Sequence, residues 1–461
     1  PVPKGAEPGS AGHEVVWLVR ERLGAVLGED AEVLEARPGR ELVGQRYEPL
    51  FEDDVPRADP GAWEPDAGAI HQVVAGDFVT VEDGTGIVHQ APYGADDWET
   101  ARAHRMPLPE AVGREGKLVC AVAGVPAGTF FKDADDRLMD DLKRRGLLFK
   151  KARETHSYPH CWRCDTPLFY FPAPAWYLRT TQYKDAMIAA NRRVDWLPME
   201  VGEKRFGEWL ENNIDWNISR DRYWGTPLPF WVCDGCDAEV AVGGSAELAE
   251  LARSSGGLPA DFDGHKPSVD RVTWPCAECG GTMRRTPAVV DCWFDSGAMP
   301  YAQHGWPGDG GRVADQFPAD FICEGLDQTR GWFYTLHAIG TFVQSIDDPG
   351  PGGTRLGERG GPTYRHCLVN GLVLDKDGVK MSKRIGNVVD PWAGIGEHGG
   401  DAVRWYRVAS VAPWLTKRFD PGGVGEVRRR FFGTLQNSYA FLREYARLVD
   451  FDPDSAAITA V

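Results

Sequence analysis

The sequence predicts an α/β protein built around an open parallel sheet, with a β-rich first third, a metal-binding insertion and a helical end. Three observations carry that expectation. Residues 320–323 read as a short buried strand that leads into the polar turn Glu324-Gly325-Leu326-Asp327-Gln328, after which Trp332, Leu336, Ile339 and Val343 fall on one helix face. Residues 367–374 are an apolar run, read as a buried strand and closed by the tight-turn dipeptide Asp377-Gly378. Between positions 233 and 279 stand two Cys-x-x-Cys pairs, the spacing of a tetrahedral thiolate site. Strand, polar turn, helix is how an open parallel sheet binds nucleotides, at the strand's carboxyl end and the helix's amino end.

At 461 residues the chain has length for about three domains. No apolar run approaches the roughly 20 residues of a membrane span, and no signal peptide opens the chain, so a cytoplasmic protein without a membrane partner is expected. The net charge of −17 argues against wholesale coating by nucleic acid, although a local basic face would suffice for a nucleic-acid partner. Six of the ten cysteines lie in three Cys-x-x-Cys pairs, which in a chain with no export signal favours metal ligation over disulfides. Pro1 opens in ordinary domain sequence and Val461 follows soon after a helical pattern. Both ends are therefore expected to be internal to a longer polypeptide.

The first third, residues 1–152, mixes short β patterns with turns. Residues 15–27 have helical spacing, with Gly24 and Gly28 near the end. Residues 84–86 read as a turn entering a short strand that reaches His89. Residues 90–100 then run into a helix whose cap or first turn holds Asp96 and Asp97. His89 and Asp97 in one cleft would position a water and hold an ammonium group. A core histidine and a helix cap would explain the same two residues, and on the residues alone that is the better account. Residues 130–153 read as a solvated helix stopped at Gly146. Cys161 and Cys164 follow as half of a tetrahedral zinc site.

The second pair set, Cys233, Cys236, Cys276 and Cys279, is complete. Four thiolates leave no open position for catalysis, so structural zinc is expected there, the alternative being four reduced thiols. Gly280 and Gly281 let the backbone turn its amides toward the sulfurs. Residues 243–267 read as a loop-rich insertion. Arg220 and Arg222 would face phosphate or make structural ion pairs. Lys380-Met381-Ser382-Lys383-Arg384 puts three cations and a hydroxyl on a loop, which suits a triphosphate but also fits a solvated basic turn. Beyond Pro391, residues 401–410 read as a helix, and Arg428-Arg429-Arg430 as the opening of a long one ending near Leu448.

Lys380-Met381-Ser382-Lys383 matches the second signature of the class I aminoacyl-tRNA synthetases, with Arg384 where the general signature has Ser. Residues 84–92 (GTGIVHQAP), followed by 94–98 (GADDW), resemble the editing signature of the isoleucyl, valyl and leucyl members. The loop between Pro92 and Gly94 is about a residue shorter than usual. Residues 298–303, which continue Asp291–Gly297, are similar to the isoleucyl branch in particular, and the ten residues 324–333 (EGLDQTRGWF) match the family jointly. The resemblance runs from about residue 80 to 440.

That resemblance implies the second half of a split Rossmann-like nucleotide-binding domain, at residues 153–392, with a zinc insertion at about 233–290. It implies a partial editing domain at 1–152, and linking helices plus the first helix of an anticodon-binding bundle at 393–461. Glu324, Gly325, Asp327 and Gln328 would contact the adenylate ribose, and Lys380, Met381, Ser382 and Lys383 the phosphates, with Lys380 and Lys383 catalytic. Trp293 and Trp332 would line an isoleucine pocket, and His89 and Asp97 would serve editing. The implied reaction is ATP-dependent activation of isoleucine and its transfer to tRNA(Ile), with hydrolysis of mischarged valine, by a monomer using Mg²⁺ and Zn²⁺. A valine–tRNA ligase and a non-catalytic tRNA- or zinc-binding paralogue are the alternatives. The family's first signature, His-x-Gly-His, occurs nowhere in the sequence. Part of the editing pocket and the partner pair of Cys161 and Cys164 would also lie upstream of Pro1. An orphaned pair and no pyrophosphate exchange from these residues alone are expected.

Overall fold

A computed structural model describes the chain except for residues 1–14, 29–30, 52–54, 59, 62, 83, 152–156, 162–163, 308–309, 348–354, 359, 383–384 and 453–461. The chain divides into two compact units, Pro1–Pro174 and Ala175–Val461.

The first unit has little regular structure. Its helices are α1 (Ala95–Ala103) and α2 (Phe131–Arg144), and Arg57–Ala58 pairs antiparallel with Leu108–Pro109. Leu118, Val125 and Ala134 make a small core, with Val112 and Leu138 against it. The helix expected over 15–27 is reduced to a 3-10 turn at Arg20–Arg22 and a short helix at Leu23–Leu27, neither with a buried residue. Val19 instead donates its N–H to Thr85 O at 2.8 Å, and that bond to a distant turn competes with the helix. The strand expected after residue 86 does not form: residues 87–90 are irregular.

The second unit is organised by a three-stranded parallel sheet. Its strands are β1 (Asp195–Leu197), β2 (Ala319–Gly325) and β3 (Tyr364–Asn370), in the order β2-β3-β1. The register runs from Ala319↔Tyr364 to Gly325↔Asn370, and from His366↔Asp195 to Leu368↔Leu197. Helices α3 (Cys292–Ala302) and α4 (Trp332–Ser345) pack against each other, and α4 returns from β2 over the sheet. The core joins Trp196, Phe206, Ile322, Phe333, Leu336, Tyr364 and Cys367.

Two expectations change here. Periodicity gave α4 one buried face, yet eleven of its residues are buried, because neighbours cover nearly its whole circumference. Residues 320–323 were expected to be buried. Phe321 is 57% exposed, because side chains alternate between the two faces of a strand and Ile322 takes the core-facing position.

Past β3 the chain breaks at Gly371, whose added Cβ would lie 2.3 Å from the Leu415 carbonyl carbon and oxygen. Strand β4 (Val373–Leu374) then pairs parallel with Lys417–Arg418. The apolar run 367–374 is therefore two strands. Helices α5 (Pro391–His398), α6 (Gly400–Ala409), α7 (Pro421–Val427) and α8 (Gly433–Leu448) complete the unit. Asp420 caps α7, and residues 428–432 carry the helix on into α8, so the three arginines lie inside a helix and not at its start. Arg430 pairs with Glu426 and Arg428 donates to Glu397 O. No helix among the described residues is long and apolar enough to cross a membrane.

Candidate nucleotide site and thiolate cluster

Because β2 and β3 are parallel neighbours, the segments that leave them emerge from the same end of the sheet. Gly325 ends β2 opposite Asn370 at the end of β3, and Asn370 Nδ2 donates to Cys323 Sγ at 3.1 Å. The turn 324–328 follows β2 and the loop bearing Lys380 follows β3. This is the carboxyl end at which such sheets hold ligands.

The turn is braced as a unit. Trp332 N–H donates to Gln328 Oε1 at 2.9 Å, so Gln328 caps α4, and Gln328 Nε2 donates to Asp327 Oδ2 at 2.9 Å. Asp327 stays exposed, held from one side and able to accept from a ligand hydroxyl through its other oxygen. A Cβ at Gly325 would meet Asp327 Oδ1 at 2.7 Å, and one at Gly331 would meet Gln328 Oε1 at 2.7 Å, so both glycines are needed for the carboxylate and amide to lie where they do. Beneath the turn Arg205 Nε donates to the buried Thr329 hydroxyl, which donates to Leu326 O. Glu324 is exposed.

The two tryptophans singled out in the sequence come together. The tip of the Trp293 ring would lie 3.3 Å from a Cβ on Gly331, next to Trp332, and Trp332 Nε1 donates to Ser296 O at 3.2 Å. The helices approach this closely because Gly297 faces the Thr335 backbone, where a Cβ would sit 2.8 Å from its carbonyl. Trp332 also forms one wall of an apolar cavity of about 250 Å³, with Met299, Tyr301, Phe321, Ile322 and Leu336. The start of α3 is pinned: Asp291 caps it through Trp293 N–H, and accepts from Arg220 Nη2 at 2.5 Å and from Trp216 Nε1 at 3.2 Å. Arg220 is thus in an ion pair, one of its two expected uses.

The loop after β4 is held by residues the sequence reading passed over. Asp375 Oδ1 accepts from Val379 N–H at 2.8 Å and Asp377 N–H at 3.0 Å, while Asp375 Oδ2 accepts from Asn387 Nδ2 at 2.8 Å. Asn387 Oδ1 accepts from Ser382 N–H at 2.8 Å, and its Nδ2 also reaches Lys380 O at 3.3 Å. The Asn387 amide, then the Val379 N–H, hold the Asp375 carboxyl below the usual carboxylate range. Leu374 bridges Lys380 antiparallel, Gly378 turns the corner at φ +85°, and Ser382 Oγ accepts from Ile385 N–H. Asx-type bonding of this kind leaves no periodicity in a sequence, only a scattered Asp and Asn. Met381 is half-buried; Lys383 and Arg384 lie outside the described residues.

Cys233, Cys236, Cys276 and Cys279 converge, with all four sulfurs within 4.8 Å of one another. Cys233 and Cys279 are 3.4 Å apart and Cys236 and Cys276 3.7 Å, near the roughly 3.7–3.8 Å between sulfurs that tetrahedral Zn–S bonds of about 2.3 Å require. Amides of Gly235, Glu278 and Gly281 point at Cys233, Cys276 and Cys279. A Cβ on Gly281 would meet Cys233 Sγ at 2.9 Å, so glycine there keeps the cradle open. Backbone bonds at Cys279 and Glu278 pull Cys276 down to about 7. Cys236, despite a backbone bond at Ala238, is pushed up to about 12, by Cys279 first. Four thiols this close resist joint ionisation, and the donor set fits a divalent soft cation such as zinc, which would supply charge balance and a cross-link, not a reaction. The cluster tops a four-stranded antiparallel sheet (Phe230–Cys233, Glu239–Ala241, Trp274–Pro275, Thr282–Arg285), and the intervening segment contains a helix at Ser245–Leu251 where loops were expected.

In the first unit, Asp97 is the third residue of α1 and closes its start: Oδ2 accepts from Gly94 N–H at 3.3 Å, and Oδ1 from Gln90 Nε2 at 3.0 Å. His89 is exposed and its Nε2 lies 3.4 Å from the Tyr47 hydroxyl. The described hydrogen bonds link His89 to Asp97 only through the adjacent Gln90. Cys161 N–H donates to Thr166 O, and Cys164 Sγ lies 3.2 Å from the Thr166 hydroxyl. Among the described residues they join no group of three or more metal-ligating side chains.

The model of the family described as tRNA synthetases class I (I, L, M and V) matches residues 40–414. An isoleucine–tRNA ligase of Thermus thermophilus is 46% identical over 434 residues, covering 94% of this chain and 38% of that protein. One of Clostridium tetani is 43% identical over 445 residues, covering 95% and 40%. Among solved structures, a LeuRS–tRNA–LeuAMS ternary complex from Agrobacterium radiobacter K84 overlaps with a TM-score of 0.36 at 22% identity, covering 52% of this chain and 31% of that one. The chain spans about two fifths of the length of the curated relatives it matches. With the family's model running through both the braced turn and the basic loop, this chain belongs to the class I tRNA synthetases.

Proposed function

We propose that the polypeptide to which these residues belong is an isoleucine–tRNA ligase, and that residues 324–328 and 380–384 are the ribose and phosphate halves of its adenylate site. One observation carries this: the register Gly325↔Asn370 sends both segments from the same end of two adjacent parallel strands. Asp327, braced by Gln328, would accept from the ribose hydroxyls. Lys380, with Lys383 beyond the described residues, would meet the charge that builds on the departing pyrophosphate. Mg²⁺, when bound, would share that charge.

Trp293 and Trp332 would close on the aliphatic side chain. Two aromatic faces supply area and shape, which reject bulk better than they reject a smaller homologue. One methylene is worth only about 1–3 kcal/mol in such a pocket, a magnitude that itself comes from isoleucyl enzymes, and this is why a second, hydrolytic sieve is useful. His89 and Asp97 are proposed for that sieve, with valine as the amino acid removed. Asp97 Oδ1, now accepting from Gln90, is the oxygen an incoming ammonium group would share. tRNA(Ile) is the proposed acceptor.

The relatives' names support isoleucine over valine. The test is ATP–pyrophosphate exchange by the polypeptide extended to the length of its relatives, with isoleucine and valine in parallel. Exchange at least about tenfold better with isoleucine is expected, and equal or reversed rates would move the assignment to a valyl enzyme.

A further inference from the structure

We propose that Asp375 and Asn387 form a two-residue latch that positions Lys380, a role distinct from the lysines and resting on the phosphate reading above. The two residues close a loop between positions 375 and 387 with one side-chain bond of 2.8 Å. Every remaining polar atom of the pair is spent on the loop's own backbone. Asp375 gathers the Val379 and Asp377 amides, and so fixes the turn at Gly378. Asn387 takes the Ser382 amide on its oxygen and reaches the Lys380 carbonyl with its nitrogen, and so grips the two sides of Met381.

The Lys380 main chain is therefore held from two directions, by the bridge to Leu374 and by Asn387. No other described side chain bonds to that backbone. Lys380 itself is exposed, and no described side chain pairs with its ammonium group, which can meet an anion while its root stays fixed. A long, flexible cation gains most from such anchoring, because the stem's freedom is what a phosphate contact must otherwise overcome. The pair also has direction: Asp375 accepts with both oxygens, from the Val379 and Asp377 amides on one and from Asn387 on the other. An asparagine at 375 facing Asn387 can serve only one of those sides, whereas the exchanged pair keeps the backbone amides accepted and lets the new NH2 donate to the new carboxylate.

The experiment is limited trypsin digestion of this chain, following cleavage after Lys380 by mass spectrometry and checking unchanged thermal unfolding. Asn387→Ala, Asn387→Asp and Asp375→Asn should each speed cleavage about tenfold, the opening expected when one or two loop hydrogen bonds are lost. The double exchange Asp375→Asn with Asn387→Asp should return the rate to within about threefold of the parent. The recovery is incomplete because the new carboxylate cannot donate to Lys380 O. A double exchange as fast as, or faster than, the single variants would overturn the latch, as would an Asn387→Ala variant cleaved at the parent rate. ATP added to the polypeptide extended to its relatives' length tests the phosphate reading separately. Cleavage unaffected by ATP would sink that reading, while the rates without nucleotide still decide the latch.

Discussion

Asp97, in the first turn of a helix in the first unit, and Asp327, in the turn ahead of a helix in the second, are used differently by the fold. Asp97 is consumed by its own helix start, with one oxygen on Gly94 N–H and the other on Gln90. In the second unit Gln328 supplies the cap, which leaves Asp327 braced but exposed. The cysteines repeat the contrast. Among the described residues Cys161 and Cys164 join no third ligand, while Cys233, Cys236, Cys276 and Cys279 converge. A carboxylate or thiolate is available for a ligand when neighbouring residues take over its structural duties, and spacing alone does not reveal that.

The largest effect expected from this contrast lies in the thiolates. Metal analysis should find about one zinc per chain, lost in Cys233→Ser and retained in Cys161→Ser. Binding to such a site is worth roughly 10–16 kcal/mol in small zinc modules, so chelation should unfold the 230–285 sheet. Equal zinc loss in both variants would erase the distinction between the pairs.

Acid provides the next test. His337 is fully buried in α4, with Nε2 on Met187 O at 2.8 Å, and burial pulls its pKa down to about 4. The folded state therefore keeps it neutral while the unfolded chain protonates near 6.5. Its stabilisation is complete above pH 6.5 and is lost as pH falls toward 4, by about 3 kcal/mol in all. His337→Gln, which can keep the donor to Met187 O, should flatten that part of the second unit's stability–pH curve; an unchanged slope would assign the acid sensitivity elsewhere.

Gly331→Ala comes third. Its Cβ would drive Gln328 Oε1 away and strip the cap from Trp332 N–H, costing about 1–3 kcal/mol and dislodging Asp327's brace. Gly94→Ala should cost less, because its Cβ meets only the end of the Asp97 side chain, 2.8 Å away, whereas at Gly331 the Cβ also meets the Trp293 ring at 3.3 Å. Thermal unfolding of both variants makes the comparison. The smallest differences concern the carboxylates themselves: Asp97→Ala should cost about 1 kcal/mol as a lost cap, and Asp327→Ala less than about 0.5 kcal/mol, seen in denaturant midpoints. The reverse order would mean that Asp327, and not Asp97, is the structural residue.

The sequence made the second unit far more legible than the first. Residues 319–345 announce strand, turn and helix because a sheet and its covering helix bury enough side chains to impose a period. Residues 15–27 carry an equally clear period, but only a short helix forms there, with no buried face, since a distant backbone bond at Val19 competes. The four clustered cysteines and the Glu324–Gln328 turn were readable from type and spacing, and the two tryptophans only through the family resemblance. Asp375, Asn387, Gly331 and the Asp291–Arg220 pair were not. Their roles arise from bonds to loop backbone or across 71 positions of sequence, which no local pattern encodes.

The central claim is that the turn after β2 and the loop after β3 form a single nucleotide site. Amide hydrogen exchange of the polypeptide extended to its relatives' length, with and without ATP, tests it most directly. Slowed exchange in both 324–332 and 378–387 is the predicted result. Protection of one segment alone, or of neither at saturating ATP, would contradict it.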